Sequence, residues 1–125
     1  MALKVKICGV KSLNHVKASI KGNADMIGLM FYKKSPRFIN LKKAKKISDY
    51  AENKIKKVGV VANFKLNEIK RIIDIIKLDY LQFHGNESVD FARIHVLSRR
   101  GYDTSRHCWV YPHNRHGRGL QRLNL

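Results

Sequence analysis

Four positions in this sequence set a side chain capable of chemistry at the end of a strand-like run. Cys8 closes Lys4 to Cys8 and is followed by Gly9. Arg37 lies in the loop Tyr32-Lys33-Lys34-Ser35-Pro36-Arg37-Phe38-Ile39, Asn63 ends Val58 to Asn63, and His84 ends Tyr80 to His84. A free thiol has a pKa of ~8.5, so a cysteine that acts as a base near neutral pH needs positive charge or helix N-termini beside it. A guanidinium grips a carboxylate through two parallel hydrogen bonds, a geometry that lysine lacks. Each residue also has a plain structural reading. A cysteine ending an apolar strand is usually a small buried hydrophobe. A lone arginine is a surface charge, a lone histidine a hydrogen-bonded strand-end residue, and Asn63 a turn or cap residue.

Those positions require elements to hold them. Strands are expected at Lys4 to Cys8, Met26 to Phe31, Val58 to Asn63 and Tyr80 to His84, the second almost continuously apolar as a strand buried on both faces should be. Between them run helices. Ser12 caps the first, which places Leu13, Val16 and Ile20 inward and stops at Gly22. Asn40 caps the second, with Leu41, Ala44, Ile47 and Ala51 inward and Lys42, Lys43, Lys45 and Lys46 outward. Asn67 caps the third, which spaces Ile69, Ile72, Ile73 and Ile76 at i, i+3, i+4 and i+7. A fourth helix is expected to start near Glu87. Strands that alternate with helices imply βα units and a parallel sheet, because parallel neighbours need crossovers of about a dozen residues. In such a sheet the C-terminal strand ends share one face, and that face carries the chemistry. A barrel and a doubly wound sheet satisfy the periodicity equally.

The chain has 125 residues, enough for one domain with its own core but short of the ~250 of a complete eight-unit barrel. With no long apolar run and no apolar segment behind the N-terminus, neither a membrane span nor a signal peptide is indicated, and a cytoplasmic location is expected. Two cysteines in unlike contexts give no disulfide framework. The net charge of +17 attracts polyanions without any specific site. Most of the lysines before residue 93, however, fall on outer helix faces. From residue 93 the chain changes character, with seven arginines, no lysine and one acidic residue. The expected division is therefore 1–92, an ordered βα region, and 93–125, an irregular Arg/His-rich tail. That tail is either a disordered basic extension or out-of-frame coding sequence, with Cys108 to Tyr111 as its one strand-like run. His107, Cys108, His113 and His116 lack the usual zinc spacing, so no metal site is expected.

Four blocks carry a resemblance. Lys6-Ile7-Cys8-Gly9-Val10, Gly22 to Phe31 leading into Ser35-Pro36-Arg37-Phe38-Ile39, Val58 to Asn63, and Leu81-Gln82-Phe83-His84-Gly85-Asn86-Glu87-Ser88 occur in the order and at the distances of one family. From residue 3 to 92 the chain resembles phosphoribosylanthranilate isomerase, an enzyme of tryptophan biosynthesis. The resemblance implies a (β/α)8 TIM barrel, of which this chain holds the first four βα units, a half barrel. It implies an Amadori rearrangement of N-(5-phosphoribosyl)anthranilate, an intramolecular aldose-ketose isomerisation that needs no cofactor. It places the general base at Cys8 and substrate binding at Arg37 and His84. The family's general acid sits on the sixth strand and its phosphate loops follow the seventh and eighth. Asp103 and Gly117-Arg118-Gly119 do not stand in for them, so an isolated half is expected to be nearly inactive.

Two other classes remain in view. A basic nucleic-acid-binding module is favoured only by net charge and by Arg99, Arg100, Arg115 and Arg118 near Tyr111, without a recognition motif. A half-barrel interaction module follows from two open sheet edges and an apolar inner face, which favour a homo-oligomer or pairing with a C-terminal half. The partners expected are thus a phosphorylated small-molecule substrate and another half barrel, with no specific nucleic acid and no membrane.

Overall fold

The computed structural model describes residues 3–85 and, further on, the backbone of two short strands. Its elements run β1 (Lys6–Cys8), α1 (Leu13–Lys21), β2 (Met26–Met30), α2 (Leu41–Ala51), β3 (Lys56–Val61), α3 (Leu66–Ile75), β4 (Tyr80–Phe83), β5 (Trp109–Val110) and β6 (Gln121–Arg122). Strands β1 to β4 form one parallel sheet in the order β1-β2-β3-β4, in register Cys8 to Gly28 to Val58 to Tyr80. Each new strand joins the same edge. A doubly wound sheet of the flavodoxin type instead puts β1 between its second and third strands. With right-handed crossovers, the sequential order lays every helix on one face and leaves the other free to line a barrel. Periodicity left that choice open and the strand order makes it.

The two faces follow the period-2 alternation of the strands. Ile27, Leu29, Val61, Leu81 and Phe83 face the helices and pack with Val16, Ala44, Ile47, Ile69 and Ile72. The inner face carries Met30, Val58 and Val60, with Cys8, Met26, Tyr32 and Tyr80 packed against them. Caps form where small polar residues precede helices: Ser12 accepts from the backbone N–H of His15 and Asn40 from that of Lys43. The third helix differs from expectation. It starts at Leu66, so Asn67 lies inside the first turn, and Lys65 takes the cap position because its N–H donates to Glu68 Oε2 at 2.8 Å.

An aspartate before β2 and another before β4 do the same work. Asp25 donates its N–H to Val5 O at 2.9 Å and accepts from Val5 N–H at 2.7 Å. Asp79 repeats the exchange with Lys57, at 2.9 Å in both directions. Each closes a ring of two bonds at the foot of a strand pair and fixes register. Lys57 itself is buried on the helix side, where it pairs with Glu52 at 2.6 Å and donates to Ser48 Oγ at 3.2 Å, as a charge out of water must. Strand β3 thus begins two residues before Val58.

The first strand is less covered than its apolar run suggests. Leu3, Val5 and Ile7 are 87%, 42% and 43% exposed, and Leu13, expected inward, is 41% exposed. The outward side chains of β1 are thus only partly covered. In the tail, β5 and β6 pair antiparallel, with Trp109 opposite Arg122. The expected helix near Glu87, the histidines and cysteine weighed as a metal set, and the arginines beside Tyr111 lie outside the described residues. Among the described residues no helix is long and apolar enough to cross a membrane, and no cluster of His, Cys, Asp and Glu could hold a metal ion.

Candidate functional site at the C-terminal strand ends

Because the strands are parallel, Cys8, the loop after β2, Asn63 and His84 all emerge at one end of the sheet. Cys8 is half-buried on the inner face. Its partner across β2 is Gly28, where a Cβ would stand 3.0 Å from the Cys8 Sγ and 3.2 Å from its Cα. The missing side chain is what leaves room for the thiol. Beyond Cys8 the chain turns sharply at Gly9, whose φ of +81° favours glycine. The N–H groups of Gly9 and Val10 both donate to Gly28 O at 3.1 Å, which ties the turn to β2.

Arg37 reaches this turn from the next loop. Its stem packs where a Gly9 side chain would be, with Nε 3.1 Å from that position and Cδ closer still. The loop is held at both ends. Ile39 N–H donates to Met30 O at 2.9 Å, Phe38 N–H to Ser35 O at 3.1 Å, and Lys11 Nζ to Pro36 O at 3.4 Å. Ser35 Oγ accepts the Arg37 N–H at 3.2 Å. The guanidinium is left exposed above the strand ends, where an anion could meet it. Cys8 and Arg37, far apart in sequence, are therefore neighbours.

His84 is exposed and continues the β3–β4 ladder, with its N–H donating to Val61 O at 2.7 Å. Asn63 has a φ of +55° and packs against the backbone of Gly85, where a Cβ would lie 2.5 Å from Asn63 Oδ1. It is a turn residue, and its contact makes Gly85 necessary. His84 follows directly on β4, three strands from β1 and Cys8, and lies at the same rim.

Two further polar residues line the inner face. Lys6, two residues before Cys8 and so on the same side of β1, donates from Nζ to Gln82 Oε1 on β4. On a flat sheet β1 and β4 would be about 14 Å apart, three strand spacings. Side chains that stand upright on a flat sheet do not meet across that gap, so the sheet is concave toward this face. Burial lowers the Lys6 pKa below the ordinary lysine value, and the charge on Cys8 opposes that lowering. Lys6 and Gln82 lie inside the motifs that carry the resemblance. Their signal in the sequence was polar residues in register with Cys8 and His84 at the strand period.

A cavity of 680 Å³ lies at the other end of the sheet, lined by residues that include Asp25, Glu52, Lys56, Lys57, Asp79 and Tyr80. Its charged groups already serve the register and helix contacts described above, and none of the strand-end residues reaches it.

Residues 5–105 match the family model described as N-(5'-phosphoribosyl)anthranilate (PRA) isomerase. The match extends past residue 92, where the motif resemblance stopped. A relative from Pseudomonas fluorescens, named N-(5'-phosphoribosyl)anthranilate isomerase, is 36% identical over 89% of this chain and 56% of its own length. A solved structure of monomers generated from the dimeric isomerase of Thermotoga maritima superposes with a TM-score of 0.73, at 29% identity, over 87% of this chain and 52% of that one. Another, of the isomerase in complex with reduced 1-(o-carboxyphenylamino)-1-deoxyribulose 5-phosphate, gives 0.70 at 33% identity, over 74% and 47%. The chain spans about half the length of the curated relatives it matches.

Proposed function

Since this chain belongs to the N-(5'-phosphoribosyl)anthranilate isomerase family, with a (β/α)8-type arrangement of parallel strands, we propose that it carries the base-bearing half of an isomerase site. The reaction is the Amadori rearrangement of N-(5'-phosphoribosyl)anthranilate in tryptophan biosynthesis. Cys8, as thiolate, removes the proton from the sugar C2 after the ribose ring opens, which moves the double bond and turns an aldose-type amine into a ketose-type amine. Arg37 receives the anthranilate carboxylate in the bidentate manner of a guanidinium. His84 lines the pocket from β4. The general acid and the phosphate grip that the reaction also needs come from strands beyond those described.

The observation that carries this reading is the packing of the Arg37 stem over Gly9, beside a Cys8 thiol that the absent side chain of Gly28 leaves facing the concave sheet. A base and a carboxylate-binding group thereby lie at adjacent points of one rim. The exposed outer stripe of Leu3, Val5 and Ile7 and the edge of β1 support pairing with a C-terminal half barrel as the arrangement that completes the site.

The test combines this chain with a C-terminal half of a family barrel and follows the isomerisation by the fluorescence of the anthranilate group. Cys8→Ser is expected to lower kcat at least about a thousandfold while binding of the reduced product analogue stays within about threefold. Arg37→Ala is expected to weaken that binding roughly tenfold to a hundredfold. An unchanged kcat in Cys8→Ser removes Cys8 as the base and the proposal with it.

A further inference from the structure

We propose that Lys6 and Gln82 are positioning residues, a clasp across the inner face that fixes how closely the first and fourth strands approach. The clasp sets the separation of Cys8 on β1 from His84 at the end of β4. This rests on the reading of Cys8 and His84 as parts of one rim, and it names what holds that rim in shape.

Register makes the contact unusual. Cys8 is level with Gly28, Val58 and Tyr80. Lys6 lies two residues before that level on β1 and Gln82 two residues after it on β4, so the pair is four residues out of step. On a flat sheet that offset is ~13 Å along the strands, in addition to ~14 Å across them. Upright side chains do not close such a gap. In an eight-stranded barrel with a shear of eight, each strand is displaced from the last by about one residue at constant height. The strand ends here climb in that sense: Met30 lies two residues beyond the level of Cys8, and Val61 and Phe83 three. Three steps of such stagger absorb about three of the four residues, and curvature turns both side chains toward a common axis. Lys6 Nζ then donates to Gln82 Oε1. The bond belongs to a bent and staggered sheet and has no counterpart in a flat one.

Strands β1 and β4 are not neighbours in the sheet, so no backbone ladder joins them. Their separation is set by three successive pairings, and the twist between neighbouring strands ranges over about 10 to 35°. Differences at each pairing add up at the outer strands. A side-chain bond from the first strand to the fourth removes that freedom directly. Its chemistry suits the task. A hydrogen bond from an ammonium is stronger than a neutral one, and both residues are half-buried, where the local dielectric strengthens it further. The face beneath the pair is low, because Gly28 has no side chain and Val58 a short one. Met30, Val58 and Val60 make that face apolar, and apolar contacts are non-directional. The polar pair supplies the direction. A misplacement of about 1 Å slows a positioned reaction by roughly a hundredfold, so a site that spans β1 and β4 depends on this separation.

Two measurements on the full chain test the clasp without substrate. The first is a double-mutant cycle read by urea unfolding. Lys6→Met and Gln82→Leu are each expected to lower the midpoint by roughly 0.5 M. The double variant is expected to lose no more than the worse single one, because both remove the same bond. The exchange of Lys6→Gln with Gln82→Lys, which rebuilds the bond in reverse, is expected to recover most of the loss. The second measurement is the distance between spin labels on Lys4→Cys and Lys77→Cys, exposed positions before β1 and β4, in a background of Cys8→Ser and Cys108→Ser. Pulsed electron resonance is expected to give one narrow distance with Lys6 and Gln82 present. With Lys6→Met or Gln82→Leu the distribution is expected to broaden and lengthen by roughly 3 Å or more.

Folding of each variant is checked by circular dichroism, and Gln82→Leu and the exchange retain both readouts if Lys6→Met does not fold. Additive losses in the cycle overturn the proposal, since they assign each residue an independent packing role. An exchange chain no more stable than the double variant overturns it as well. So does an unchanged label distance in the folded single variants, which would make the bond a consequence of curvature set elsewhere. None of these results touches the isomerase reading, which fails only on the turnover of Cys8→Ser.

Discussion

Removing the carboxylate of Asp79 should cost far more than removing that of Asp25, although both close the same ring at the foot of a strand pair. Asp79 Oδ2 accepts the backbone N–H of Lys57 at 2.9 Å, and Lys57 is 2% exposed. In Asp79→Ala that largely buried donor loses its acceptor, which costs about 1–3 kcal/mol. The accompanying pair with Lys56, at 3.8 Å and with the lysine side chain 63% exposed, adds at most a few tenths. Asp25 Oδ2 accepts from Val5, which is 42% exposed. There water replaces the carboxylate, and Asp25→Ala should cost about 0.5 kcal/mol. Asp79→Asn keeps an acceptor and should lose under about 1 kcal/mol. Urea unfolding followed by far-UV circular dichroism reads the difference. For a slope of about 2 kcal/mol per molar, Asp79→Ala should lower the midpoint by roughly 1 M, and Asp25→Ala by about a quarter of that. Equal losses at the two sites, with unchanged slopes, would refute the premise that burial of the donor sets the cost of the clamp.

Gly9→Ala should destabilise the chain by about 1–2 kcal/mol, because φ of +81° is unfavourable for alanine and the new methyl meets the Arg37 stem; urea unfolding measures the loss, and none would mean that the turn relaxes freely. Lys6 gives a pH effect of definite sign. Its folded pKa is lowered mainly by burial, so the unfolded chain holds the proton more tightly and stability should rise as pH climbs from the lowered value toward the ordinary value of 10.5. In a Cys8→Ser background, which removes only the opposing influence, the melting temperature of the Lys6 chain relative to that of Lys6→Met should rise in that direction. A relative fall would reverse the sign of the burial effect.

Much of the architecture was legible in the residues alone. The isoleucines at 69, 72 and 76, the caps at Ser12 and Asn40, and the stop at Gly22 lie where helical period and capping chemistry put them. These are local effects, set by neighbours in sequence. The family, too, was readable from the motif blocks, because each block combines a strand end with a turn of particular shape. Less legible were the edges of elements. Asn67 is a good cap by type, yet the helix starts one residue before it because Glu68 reaches the Lys65 N–H. Lys57 lies just before the strand expected at Val58 and is a buried strand residue, since its partners Ser48 and Glu52 come from α2 and its C-terminal cap.

What the sequence determined, then, is the set of elements, the strand-end placement of Cys8, Arg37 and His84, and the family they point to. What only the tertiary structure decided is which of these meet. Strand order is a long-range property, and periodicity cannot tell a sheet grown at one edge from one grown at both. The order β1-β2-β3-β4 sets Gly28 beside Cys8 and Arg37 over Gly9, and the curvature of the sheet lets Lys6 on the first strand reach Gln82 on the fourth. Those contacts join residues separated by whole βα units, so they exist only once the chain has closed its core.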